Sequence, residues 1–237
     1  MIEHYGGIML NERQNRILEI TEKRKRVSVE FLAKTLYVSE MTVRRDLQKM
    51  DREGLIKRYH GGALACEDYI DYSFDLRMRM NEKEKKKLAA EAQKHIRDGQ
   101  TIFLHCSSTC AYIIPCLKNY KNITVVTNSV QFLLMLSKMN IRCILAGGEY
   151  YGSERCLVGR ATENFLRSIN TDIAFVSGSG ISDDGAVTDG DEATAEITKV
   201  AIKNTSKLVL LSDSSKLGFK YTYNICHKDD ADAIIII

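Results

Sequence analysis

Ser107, Ser108 and Thr109 stand in a row behind the short apolar run Thr101–Leu104. Hydroxyls and backbone N–H groups at a strand-to-helix turn suit an oxyanion such as phosphate. Thr127, Asn128 and Ser129 hold the equivalent place behind 123–126. Gly147 and Gly148, and then Ser177, Gly178, Ser179 and Gly180, follow two further apolar runs. Lys216 comes just after another, 208–211, and supplies a cation. In an open α/β sheet a ligand sits outside the carboxyl ends of the strands, so all these turns converge there. Each turn singly reads as an ordinary strand–helix loop. His105, Cys106 and Cys110 surround the first turn. Their spacing matches no zinc pattern, and a buried thiol pair behind a strand is the simpler reading. No metal and no cofactor is expected.

A second set of chemical groups lies in the first quarter of the chain. Val43, Leu47 and Met50 recur at i, i+4 and i+7, the signature of one buried helix face. Thr42, Arg44 and Arg45 then fall on or beside the outer face, near the helix N-terminus. Arginine bonds guanine edges bidentately, and Ser or Thr reaches phosphates or bases. Lys57, Arg58 and His60 sit on a short hairpin behind this helix and suit a nucleic-acid backbone or minor groove. Charge supports the reading. Residues 1–64 carry thirteen basic and nine acidic residues, a balance of +4, whereas 65–237 carry 21 and 22, a balance of −1. A basic module joined to a near-neutral domain suggests a polyanion partner. Spacing alone also leaves open a three-helix interaction module with a solvated charged face.

The elements that must position these groups follow from periodicity and caps. Residues 10–22 carry a weak helical stripe at Ile17, Leu18 and Thr21. Ser28 caps a short second helix with Phe31, Leu32 and Leu36, and Ser39 caps the third, which Gly54 ends. Residues 55–59 and 63–64 form a hairpin around His60, Gly61 and Gly62. Residues 65–80 read as a connector, acidic and then basic. Asn81 is expected to cap a helix to about Arg97, with Leu88, Ala89, Ala92 and Ile96 on one side and five charges in 82–86 on the rest. From there short apolar runs alternate with helical patterns: strands at 101–104, 123–126, 141–145, 173–176, 208–211 and 233–237, helices at 111–119, 129–139, 159–169 and 191–204. That alternation predicts an α/β domain with a mostly parallel sheet.

Composition excludes other classes. The 237 residues hold a single proline, Pro115, which argues against Pro-rich linkers. The apolar runs are too short to span a bilayer, and residues 1–10 lack a secretory pattern. Seven irregularly spaced cysteines without such a leader fit free thiols in a reducing cytoplasm. The chain ends inside an apolar strand, which reads as stopping short of a final element.

Four segments carry a family resemblance. They are Arg13-Gln14-Asn15-Arg16-Ile17-Leu18, then Val38-Ser39 with Thr42-Val43-Arg44-Arg45-Asp46-Leu47, then Gly54-Leu55-Ile56, then His60-Gly61-Gly62-Ala63. Residues 9–64 closely resemble the winged helix-turn-helix of the DeoR family of bacterial transcription regulators. The rest of the chain resembles the family's effector domain, through Thr127-Asn128-Ser129, Gly147-Gly148, Val158-Gly159, residues 178–181 and Asp213-Ser214-Ser215-Lys216. Four strand–helix turns in one segment, joined to this resemblance, favour a ligand site. The resemblance implies an N-terminal winged helix-turn-helix followed by a Rossmann-like domain similar in fold to ribose-5-phosphate isomerase. Residues 1–8 are then an N-terminal extension, 9–64 the DNA-binding domain, 65–80 the linker and 81–237 the effector-sensing domain.

The resemblance also implies a role and its residues. The expected protein is a cytoplasmic repressor of a carbohydrate-metabolism operon. It binds operator DNA as a dimer or higher oligomer and responds to a small phosphorylated sugar. Ser39, Thr42, Val43, Arg44, Arg45, Lys57, Arg58, His60, Gly61 and Gly62 are expected to meet DNA. His105, Ser107, Ser108, Thr109, Thr127, Asn128, Ser129, Gly147, Gly148, Gly178, Glu192 and Lys216 are expected to meet the effector, Glu192 through sugar hydroxyls. The helical stretch 83–87 is the expected element for re-orienting the two domains. One departure stands out. Family members usually place Asp, a variable residue and Gly before the Ser/Thr pair, and this chain has His105-Cys106-Ser107. A DNA-binding regulator with a diverged sensor therefore stays open, as does a sugar-phosphate isomerase with a DNA-binding appendage, although no enzymatic activity is expected.

Overall fold

The computed structural model describes residues 10–66 and 72–237. The expected extension 1–8 and the acidic part of the connector at Glu67, Asp68 and Asp71 lie outside them. The chain divides into two compact units, Met1–Met80 and Asn81–Ile237.

In the first unit, helix α1 (Glu12–Arg24) opens on a capping box between Asn11 and Gln14. Strand β1 (Arg26–Ser28) follows. Ser28 caps α2 (Val29–Leu36), which ends on Tyr37 in the left-handed region at φ +55°. Ser39 caps α3 (Glu40–Arg52), accepting from the Thr42 N–H at 3.2 Å. Strands β2 (Ile56–Tyr59) and β3 (Gly62–Ala65) complete an antiparallel sheet in the order β1-β3-β2. Ile17, Leu32, Val43, Leu47, Met50 and Leu55 meet in the core beneath it. The connector expectation for 65–80 changes here. Ala65 belongs to β3, and α4 (Phe74–Arg79) buries Phe74 and Leu76, with Leu76 joining that same core.

The second unit begins with α5 (Glu82–Ala92), shorter than expected and extended by one 3-10 turn. Asn81 does not cap it. Its backbone is left-handed and its side chain turns instead to Asp213 and Ser215, 3.0 Å from each. The sheet strands are β4 (Thr101–Leu104), β5 (Thr124–Thr127), β6 (Arg142–Leu145), β9 (Ile173–Val176), β12 (Leu208–Ser212) and β14 (Ala233–Ile236). Intervening elements are α6 (Val130–Ser137), a hairpin of β7 (Glu149–Tyr151) and β8 (Cys156–Val158), α7 (Arg160–Arg167) and α8 (Glu192–Lys203). The expected helix at 111–119 is a 3-10 helix, Cys110–Asn119, holding Pro115, which cannot donate to an α-helical ladder. A small antiparallel sheet of β10 (Gly180–Ile181), β11 (Ala186–Asp189) and β13 (Tyr223–His227) was not apparent from periodicity.

The large sheet runs parallel throughout, in the order β14-β12-β9-β4-β5-β6. The chain passes from β4 outward to β5 and β6, then returns to the other side of β4 for β9, β12 and β14. The order therefore reverses between β4 and β9, which opens a crevice at their carboxyl ends. Phe103, Val126, Ala174, Val176 and Leu210 form the core around it.

Candidate functional site

Helix α3 has two faces. Val43, Asp46, Leu47 and Met50 are buried, at i, i+3, i+4 and i+7. Opposite them Met41, Arg44, Arg45 and Gln48 are exposed. Asp46 is a charged member of the buried face, held by Arg13 Nε at 2.5 Å and by Gln14 Nε2 at 3.1 Å. These bonds tie α3 to α1 and hold the Arg13 guanidinium above its ordinary pKa. Arg44 donates to Glu40 at 3.0 Å, one turn earlier, whereas Arg45 is exposed to solvent.

Most residues expected at DNA lie on this surface. Ser39 and Thr42 share a hydroxyl contact of 2.9 Å at the helix start. Lys57, Arg58, His60 and Gly61 are exposed on the β2–β3 hairpin, with Gly61 at φ +100°. Two residues need correction. Val43 is fully buried in the core and cannot touch DNA. Gly62 is buried too, and a Cβ there would collide with the Val27 carbonyl and the Tyr59 phenol, so its glycine serves packing. Met41 and Gln48 were not foreseen, although their spacing with Arg44 and Arg45 is legible.

In the second unit the crevice is crossed by defined contacts. The Ser177 N–H points to His105 Nδ1 at 3.5 Å, joining the ends of β9 and β4. Lys216 is buried, and its Nζ donates to Ser177 Oγ at 3.1 Å and to the Gly178 carbonyl at 2.9 Å. Lys85 is 0% exposed, and its Nζ donates to Ser108 Oγ at 3.2 Å. Sequence periodicity had left Lys85 among solvated charges. Yet Lys85, Leu88, Ala89 and Ala92 fall at i, i+3, i+4 and i+7, and all four are buried. The stripe simply extends one turn into a lysine.

Two buried ammonium groups in one domain are costly unless anions or lone pairs face them. Three buried oxygens at the strand ends also lack a hydrogen-bond partner among the described residues: Thr109 Oγ1, Asn128 Oδ1 and Asp213 Oδ2. Unsatisfied buried polar atoms mark a place a polar ligand or water would complete. Asp213, a carboxylate, also accepts from Asn81 and Ser215.

The other expected effector residues divide. Ser107 Oγ accepts from the Cys110 N–H, Thr127 Oγ1 donates to the Leu104 carbonyl at 2.8 Å, and Ser129 Oγ caps α6. Thr127 thus spends its proton on the fold, whereas Ser107 and Ser129 spend a lone pair. Gly147 is exposed, and its carbonyl accepts from Thr162, against which Gly148 also packs. A Cβ on Gly178 would lie 2.7 Å from Val187, so the loop there needs glycine. Glu192 lies in another setting, at the start of α8. It lines a cavity of about 520 Å³ with Glu163, Asp191, Glu196 and Tyr223. Nearby Asp189 is held above its ordinary pKa, chiefly by burial. Around His105, burial pushes the Cys110 thiol up to about 12, and a hydrogen bond with Cys156, helped by burial, raises Cys106 well above its usual range. Among the described residues no three His, Cys, Asp or Glu side chains gather as metal ligands, and no helix is long and apolar enough to cross a membrane.

Known proteins resemble this chain over most of its length. The chain is 31% identical over 226 residues to the HTH-type transcriptional regulator GolR of Listeria innocua, covering 94% of this chain and 89% of that protein. It is 30% identical over 224 residues to the glycerol-3-phosphate regulon repressor of Escherichia coli, with the same coverage. A solved ribose 5-phosphate isomerase of Methanocaldococcus jannaschii is 24% identical at a TM-score of 0.44, over 58% of this chain and 55% of that one. Residues 13–68 match the DeoR-like helix-turn-helix domain and residues 80–236 the DeoR C-terminal sensor domain. With its winged helix-turn-helix and its parallel-sheet sensor domain matched in order along the sequence, this chain belongs to the DeoR family.

Proposed function

We propose that this protein is a cytoplasmic transcriptional repressor that binds operator DNA through α3 and the β2–β3 wing. A small phosphorylated sugar held at the β4–β9 crevice controls that binding, and the genes controlled serve carbohydrate metabolism. The observation that carries the DNA-binding part is the outward face of α3, where Arg44 and Arg45 stand exposed opposite a fully buried stripe. The effector part is supported by Lys216 and Lys85, buried ammonium groups bonded to the hydroxyls of Ser177 and Ser108. A phosphate would meet the cations, and sugar hydroxyls would meet Asp213 and Asn128. The name of the Escherichia coli relative, a glycerol-3-phosphate regulon repressor, fits such a ligand class. One three-turn reading helix covers only a short half-site, so the working form is a dimer or higher oligomer.

An isomerase reading has weaker support. Proton abstraction needs a base beside the cation, but Glu192 shares its cavity with Glu163 and Glu196, while Lys216 bonds to Ser177 and Gly178. A gel-shift titration at fixed salt tests the main reading. Arg44→Ala and Arg45→Ala should each weaken binding to a selected duplex about 10- to 100-fold, with the fold retained by circular dichroism. Undiminished affinity in both variants would remove α3 as the reading helix. A thermal-shift screen against sugar phosphates tests the sensor, and no stabilisation by any of them would favour the diverged-sensor alternative.

A further inference from the structure

We infer that Met41 is a base-reading residue, and that its partner is the 5-methyl group of a thymine in the major groove. The inference rests on the DNA-binding reading above and assigns a specificity contact within it.

Single exposed apolar side chains are common on protein surfaces, so the 62% exposure of Met41 decides nothing alone. Its position decides. Met41, Arg44, Arg45 and Gln48 recur at i, i+3, i+4 and i+7, so they form one outward stripe along α3. Arginine suits guanine edges and glutamine suits adenine, which leaves the thioether as the apolar member. It sits in the first turn, two residues after the Ser39 cap, where reading helices of this kind contact base edges. Among the groups that base pairs present in the major groove, the apolar one is the thymine methyl. The surroundings complement DNA rather than an apolar protein surface: Arg44, Arg45, Lys57 and Arg58 are all exposed in the same unit. Methionine is flexible and polarizable, so it can follow a methyl group without an exact fit.

The test uses the full-length protein and duplexes that it selects from a random library. Each thymine of the selected site is replaced in turn by deoxyuracil, which removes only the methyl. Affinity is read by fluorescence anisotropy at fixed salt. At one thymine, or at one per half-site, removing the methyl should weaken the wild-type protein about fourfold, the worth of one buried methyl. Met41→Ala should be indifferent to that same replacement, and Met41→Leu should keep most of the discrimination. Thymine replacements that affect wild type and Met41→Ala equally at every position would overturn the inference. So would a change in oligomeric state on Met41→Ala with no base-dependent effect, since Met41 would then belong to a protein contact. Failure to select any sequence would overturn the DNA-binding reading itself, which separates the two failures.

Discussion

Arg13 Nε lies 2.5 Å from Asp46 Oδ2, so a residue of the first helix grips α3 from a distance of 33 positions in the chain. Gln14 adds a second donor to the same carboxylate at 3.1 Å. The orientation of α3 on α1 therefore depends on a buried acceptor as well as on apolar packing.

Asp46→Ala should accordingly destabilise the protein by about 2 kcal/mol. Most of that loss comes from Gln14, left buried without its acceptor. The Arg13 contribution is smaller because that side chain is partly exposed and screened. Urea titration followed by circular dichroism checks this, and an unchanged midpoint would show that the pair is dispensable. Asp46→Asn, which keeps an acceptor for Gln14, should lose less.

The two wing glycines should differ. Gly61→Ala meets open space but forces a side chain to φ +100°, at a cost of about 1 kcal/mol. Gly62→Ala meets the Val27 backbone as well, so it should cost more and loosen the wing. Denaturation midpoints of the two variants provide the comparison, and equal losses would contradict the packing role of Gly62.

Lys216→Ala and Lys85→Ala should each reduce the response to a sugar phosphate. Loss of one charged hydrogen bond to the ligand is worth about 10- to 100-fold in affinity. Calorimetric titration measures it, using whichever sugar phosphate gives the largest thermal shift with the wild type. Operator affinity without effector should be retained. If both variants bind that ligand as tightly as wild type, the crevice between β4 and β9 is not its site.

Burial sets the pH behaviour of the thiols. Burial raises the folded-state pKa of Cys110 from 9.0 to about 12, so at pH 8 it is held as the thiol. Cys106 and Cys110 should then resist a disulfide reagent in the native protein and react quickly in denaturant. The fold holds this proton more tightly than the unfolded chain does. Its effect on stability is therefore absent below about pH 9, and unfolding becomes easier as pH climbs from 9 toward 12. Rapid native-state labelling of Cys110 at pH 8 would contradict its burial.

Sequence by itself determined the local architecture. The spacing of Val43, Leu47 and Met50 placed the inner face of α3, and Ser28 and Ser39 marked where two helices begin, because caps and stripes depend on residues within a few positions. Alternating apolar runs likewise specified a parallel α/β sheet, since strands covered on both faces must be apolar throughout. The motifs around Arg44 and His60 were enough to point to the family. What sequence left open depended on distant neighbours. Thr127 read as a ligand hydroxyl until the Leu104 carbonyl, 23 positions away, took its proton. Lys85 read as a solvated charge until α5 packed with that residue inward against Ser108. Hydroxyls and amines have no fixed preference for solvent, ligand or backbone. Which partner each one takes is settled by how the strands and helices pack, β5 beside β4 for Thr127 and α5 against the turn behind β4 for Lys85, and that packing is a property of the tertiary fold.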